Sequence, residues 1–134
     1  MKKYNNIVGI DPDCDKSGVA FLETKTKKLE VSNLSFPQLL DYMRCMKDLQ
    51  NRTDKSIIFV VEAGYLNKSN WHLKSKDNRH VAAHKGNSTG RNHETARKII
   101  EMAKHYCFCR FVIDNLNRQN IINIVTVFIF ILLF

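Results

Sequence analysis

The chain lacks the cysteine pattern of an exported or zinc-bound domain. Its cysteines, Cys14, Cys45, Cys107 and Cys109, include no CxxC pair, and Cys107-x-Cys109 is too close for the usual zinc spacing. No secretory leader is expected either. Met1 to Asn6 has a charged start, but the apolar run after it ends at Asp11, far short of a signal-peptide core. These absences point to reduced thiols and a cytoplasmic setting. Acids are scarce, at 13 against 21 Lys plus Arg, and the formal net charge is +8. An excess of this sign favours polyanionic partners, nucleic acid before an anionic membrane. No acid follows Asp114 and no charged residue follows Arg118. The apolar run Ile121–Phe134 would span only ~21 Å as a helix, against a hydrocarbon core of ~30 Å. Its branched and aromatic residues favour a strand or aggregation over a stable membrane span.

With 134 residues, the chain has room for one domain with a real core. Its opening stretch is the most informative. Asn6 to Asp11 is a short apolar run that delivers a single acid to its end, where Pro12 stops the strand. A polar turn follows, and a second apolar run leaves from Gly18, so the pattern predicts a hairpin with a carboxylate at its mouth. Glu23–Lys28 is a polar turn, and Leu29–Leu34 alternates like a half-buried strand. Three strands in succession read as an antiparallel meander. Leu39, Leu40, Tyr42, Met43, Met46 and Leu49 then recur at helical spacing from Ser35 or Phe36 to about Gln50, with Pro37 in the first turn.

Ser56–Glu62 holds five successive apolar residues, the signature of a strand buried on both faces, and it too ends on an acid. The order predicts a right-handed βαβ crossover. If this strand lies beside the first, Glu62 and Asp11 reach the same carboxyl edge, where open α/β sheets place their sites. From Ala63 to Thr89 regular periodicity disappears, and a long loop is expected, of the kind that carries function. It bears Lys68, Lys74, Lys76, Arg79 and Lys85 with His72, His80 and His84, and Tyr65 and Trp71 are interleaved. A second helix is expected over Thr95–Tyr106, and Cys107–Ile113 has the composition of a further strand.

Asp11 and Glu62, brought together, would repel unless one is protonated or a cation lies between them. Carboxylate oxygens suit Mg2+, and paired ions of this kind hydrolyse phosphodiesters. Asp11-x-Asp13-x-Asp15 also matches the start of a calcium loop, but Lys16 replaces the required glycine and Leu22 the closing glutamate. His80-x3-His84 has zinc-ligand spacing with no Cys pair or acid to complete it. The cations of the 63–89 stretch, together with Tyr65 and Trp71, fit the phosphates and bases of a nucleic acid better.

Ile7-Val8-Gly9-Ile10-Asp11-Pro12 with Ser17-Gly18-Val19-Ala20, and the strand ending Val60-Val61-Glu62, resemble the RuvC-type Holliday-junction resolvases of the ribonuclease H-like superfamily. The resemblance covers about residues 5–112. It implies an α/β fold with a ribonuclease H-like mixed sheet: three antiparallel strands, a helix, a parallel central strand, a helix and a strand. It further implies a metal-dependent endonuclease acting on branched DNA, usually as a homodimer, with Asp11 and Glu62 as catalytic acids holding Mg2+ or Mn2+. Lys68, Trp71, Lys74, Lys76, Arg79, Lys85, Arg91 and Asn92 would then meet the nucleic acid, with Gly90-Arg91-Asn92 resembling the stretch that leads into the family's next helix. Two departures stand out. Asp13 occupies a usual glycine position, and the family's closing helix with its further aspartates has no counterpart. Asp114 alone remains, away from the position of those acids. The expectation is a partial domain over residues 1–113 and an apolar tail over 114–134, as in a truncated or frame-shifted nuclease. The alternative is a non-catalytic nucleic-acid-binding remnant.

Overall fold

The computed structural model describes residues 4–66, 76, 78–106 and 111–114. The strands are β1 (Asn6–Asp11), β2 (Ser17–Glu23), β3 (Lys28–Leu34), β4 (Ile57–Glu62) and β5 (Phe111–Asp114), and the long helices are α1 (Phe36–Thr53) and α2 (Arg79–His105). They form one sheet in the order β3-β2-β1-β4-β5. β1, β2 and β3 pair antiparallel, whereas β4 lies parallel to β1 and β5 parallel to β4. This is the α/β, ribonuclease H-like order expected from the sequence. The expected apolar tail lies outside the described residues, as do Cys107–Arg110 at the start of the expected last strand.

The parallel register of β1 and β4 is set at their amino ends. Ser56 O accepts from the N–H groups of Asn5 and Asn6 at 3.0 and 3.1 Å, and the Ser56 N–H donates to Asn5 Oδ1 at 2.9 Å. From that clamp the two strands run level, Asn6 opposite Ile57 through Ile10 opposite Val61. Because both strands have six residues, their terminal acids come out at the same height. Alternation then divides the side chains between the sheet faces. Val8, Ile10, Val19, Phe59 and Val61 face the helices and bury themselves against Leu39 and Met43 of α1 and Ile99, Ile100 and Ala103 of α2. Asp11 and Glu62, one step on from Ile10 and Val61, belong to the opposite face.

α1 begins where Gln38 turns back to accept the Ser35 N–H at 2.9 Å, with Pro37 in the first turn as the sequence predicts. It ends at Asp54, whose φ of 51° closes the helix in the left-handed region. α2 departs from expectation. It starts at Arg79, not Thr95, with the Asn78 side chain accepting from the Val81 N–H at 2.9 Å as its amino-terminal cap. With 27 residues it is about 40 Å long. Only its second half is packed on the sheet, beginning with Ala96. Residues 79–89, expected as part of an irregular loop, are therefore helical, and none of them belongs to the buried core formed by the described residues.

Candidate functional site

Five residues stand at one level across the sheet. Asn33 of β3 is opposite Gly18 of β2, Gly18 is opposite Asp11 of β1, and the next step of the β1–β4 register sets Asp11 level with Glu62. Glu62 is in turn opposite Asp114 of β5. The carboxyl ends of three neighbouring parallel strands thus each carry an acid. Asp11 is exposed and Glu62 half-buried. Gly18 is what leaves Asp11 open on its other side: a Cβ there would lie 3.6 Å from the Asp11 Cβ and 3.9 Å from Asn33 Oδ1. Asp114 matches no acid of the resembled family, and sequence alone assigns it no role. Its place in the row is a matter of register, which needs the end of β5 to be known.

The turn between β1 and β2 is tied down in two ways. Within the turn, the Asp13 N–H donates to Ser17 Oγ at 3.3 Å, and the Asp15 N–H to Asp13 Oδ1 at 2.8 Å. From α2, Asn92 Oδ1 accepts the Cys14 N–H at 3.1 Å while Asn92 Nδ2 donates to Asp13 Oδ2 at 3.3 Å. The Asp15 N–H, then the Asn92 amide, hold the Asp13 carboxyl below its ordinary value, against the opposing effect of burial. Arg91 reaches Asp15 at 3.9 Å between exposed groups, a pair of small energetic weight.

The described residues include one group of three metal-ligand types with ligand atoms all within 4.8 Å of one another, Asp13, Cys14 and Asp15. Both Asp13 oxygens already accept hydrogen bonds that shape the turn, and a thiol is a poor ligand for Mg2+. The row at the strand ends has the better donor set for a hard divalent ion. Asp11 and Glu62 carry carboxylates at one level on the same face of the sheet.

The residues expected to meet nucleic acid are distributed unevenly. Lys76, which precedes α2, and Arg79, its first residue, are exposed, and Lys85 lies half-buried about two turns further along. Arg91 and Asn92 face the β1–β2 turn. Lys68, Trp71 and Lys74 lie outside the described residues. Tyr65, read as a face for bases, packs instead on α2, with the Arg97 guanidinium 4.7 Å from its ring centroid and His93 edge-on at 6.5 Å. The His80 and His84 pair is one turn apart on α2, and no third ligand joins it among the described residues. No helix among the described residues is long and apolar enough to cross a membrane.

The chain matches no family model and no curated protein. Among solved structures it has a distant likeness to T. thermophilus RuvC in complex with Holliday junction substrate, at 15% identity and a TM-score of 0.31. The aligned region covers 75% of this chain and 59% of that one, so the chain spans about three-fifths of the length of the protein it resembles.

Proposed function

We propose that this chain belongs to the metal-dependent endonucleases, with its reactive centre at the carboxyl edge of β1, β4 and β5. The observation that supports this reading is the β1–β4 register, whose next step after Ile10 opposite Val61 sets Asp11 level with Glu62 on neighbouring parallel strands. Two carboxylates so placed stabilise a divalent cation between them and are themselves stabilised by it. When bound, Mg2+ or Mn2+ supplies a Lewis acid for the phosphodiester and lowers the pKa of its water. Asp11 and Glu62 would hold the ion, and the space beside Gly18 leaves the Asp11 carboxylate approachable from the β2 side. Lys76, Arg79 and Lys85, with Lys68, Trp71 and Lys74, would bind the nucleic-acid backbone and bases, α2 carrying its cations away from the packed sheet. The substrate of this reading is DNA, with branched or junction DNA as its specific form.

The test is cleavage of a four-way junction and of a linear duplex by the full chain with Mg2+ or Mn2+. The expected result is metal-dependent cleavage, with junction preferred, that falls to background in Asp11→Asn and in Glu62→Gln while DNA binding persists. Binding that weakens steeply with salt, with no cleavage under any metal, would instead favour the non-catalytic nucleic-acid binder.

A further inference from the structure

Asn92 reaches from α2 to a turn 78 residues earlier in the chain, and it uses both ends of its amide there. Oδ1 accepts the Cys14 N–H at 3.1 Å, and Nδ2 donates to Asp13 Oδ2 at 3.3 Å. A primary amide does both from two separate atoms; a carboxylate lacks the donor and an aliphatic chain lacks both. The anchor is stiff, since Asn92 stands one helical turn before Ala96, where α2 becomes buried against the sheet. The object it holds is equally constrained. One residue, Pro12, separates Asp11 from Asp13; it is buried and its ring fixes φ. A displacement of the turn at Asp13 and Cys14 therefore passes to the Asp11 peptide with little room for the backbone to absorb it. The Ser17 contacts with Asp13 fasten the turn to itself and do not fix it relative to α2.

We infer that Asn92 is a positioning residue for the acidic edge, locking the β1–β2 turn to α2 and so fixing the direction in which Asp11 offers its carboxylate to a divalent cation. This rests on the metal-site reading above. It also gives α2 two roles, carrying Arg79 and Lys85 on its first half and holding the metal-site turn at its middle. A nucleic acid docked on the first half would thus bear on the same rigid rod that orients Asp11.

The experiment is a double-mutant cycle on the full chain, using Asn92→Asp, Asp13→Asn and the two together. Mn2+ affinity is read from water-proton relaxation, and the turn from exchange of the Cys14 amide by NMR. Asn92→Asp removes the donor and sets a carboxylate against Asp13. It is expected to accelerate Cys14 exchange and weaken Mn2+ binding about 10-fold or more, the range for outer partners of metal ligands. Simple electrostatics predicts the opposite sign, because the substitution adds negative charge near the cation. In the Asp13→Asn background the donor and acceptor roles are reversed, so adding Asn92→Asp should cost little relative to Asp13→Asn alone, which cancels the effect of the lost charge. Unchanged Mn2+ affinity in Asn92→Asp, with Cys14 exchange accelerated, overturns the positioning role and leaves the metal site intact. Equal losses in both backgrounds overturn it as well. A wild-type chain that binds no Mn2+ overturns the metal-site reading itself, and the positioning role with it.

Discussion

Tyr42 carries a hydroxyl that is buried and has no hydrogen-bond partner among the described residues, although its ring packs against the core. Burial, helped by the negative charge of Glu30, pushes this phenol up to about 12 from its ordinary 10.0. The consequence for stability has a definite sign. The folded chain holds the phenolic proton more tightly than the unfolded one, so the contribution is whole below pH 10 and disappears as the pH rises from 10 to about 12. Tyr42→Phe removes the unpaired hydroxyl and keeps the packing. It is expected to stabilise the chain by about 1 kcal/mol at neutral pH, and to lessen the loss of stability above pH 10. Thermal unfolding at a series of pH values checks both. At the same scale, the single amide of Asn92 links two regions that the sequence gives no reason to connect, since neither Asn92 nor the 13–15 turn belongs to a periodic pattern.

The elements divide by how much of their residue pattern is dictated by burial. β1, β2, β4 and α1 were legible because each places apolar side chains against the same core, and their periodicity records it: Val8, Ile10, Val19, Leu39, Met43, Phe59 and Val61 are all buried. The second half of α2 is legible for the same reason, through Ala96, Ile99, Ile100 and Ala103. Its first half is not. Among the described residues none of 79–89 is part of the buried core, so they carry no 3.6-residue stripe, and Gly86 breaks the propensity signal further. Asn78, which caps this helix, is a usable clue in a stretch otherwise read as loop. The solvated half also yields a direct test. Gly86 has nothing within 4 Å of the position a Cβ would take. Gly86→Ala should therefore stabilise α2 by roughly 0.5–1 kcal/mol, read as a higher denaturant midpoint at unchanged slope. An irregular 79–89 segment would show no such gain.

For the molecule as a whole, the candidate site depends on adding two quantities that are separate in the sequence. The end of each parallel strand is visible as an acid after an apolar run, and Asp11 and Glu62 were legible on that basis. Their equal height comes from the Asn5–Ser56 clamp and from strands of equal length, which only the folded sheet displays. The same holds for Asp114, whose meaning lies in its register opposite Glu62. The spread of cations over the surface, by contrast, is the part that composition predicts in kind but not in place: Arg91 contacts the β1–β2 turn, while Lys76 and Arg79 are exposed at and before the start of α2.

The central claim, that the carboxyl edge of the three parallel strands is a divalent-metal site, is tested most directly by titrating the full chain with Mn2+ and following water-proton relaxation. Saturable binding that competes with Mg2+ is expected. Asp11→Asn and Glu62→Gln should each weaken it about 10-fold or more, and Asp114→Asn should weaken it as well, with all the variants still folded by circular dichroism. Mn2+ affinity that is the same in the wild type, Asp11→Asn and Glu62→Gln would contradict it.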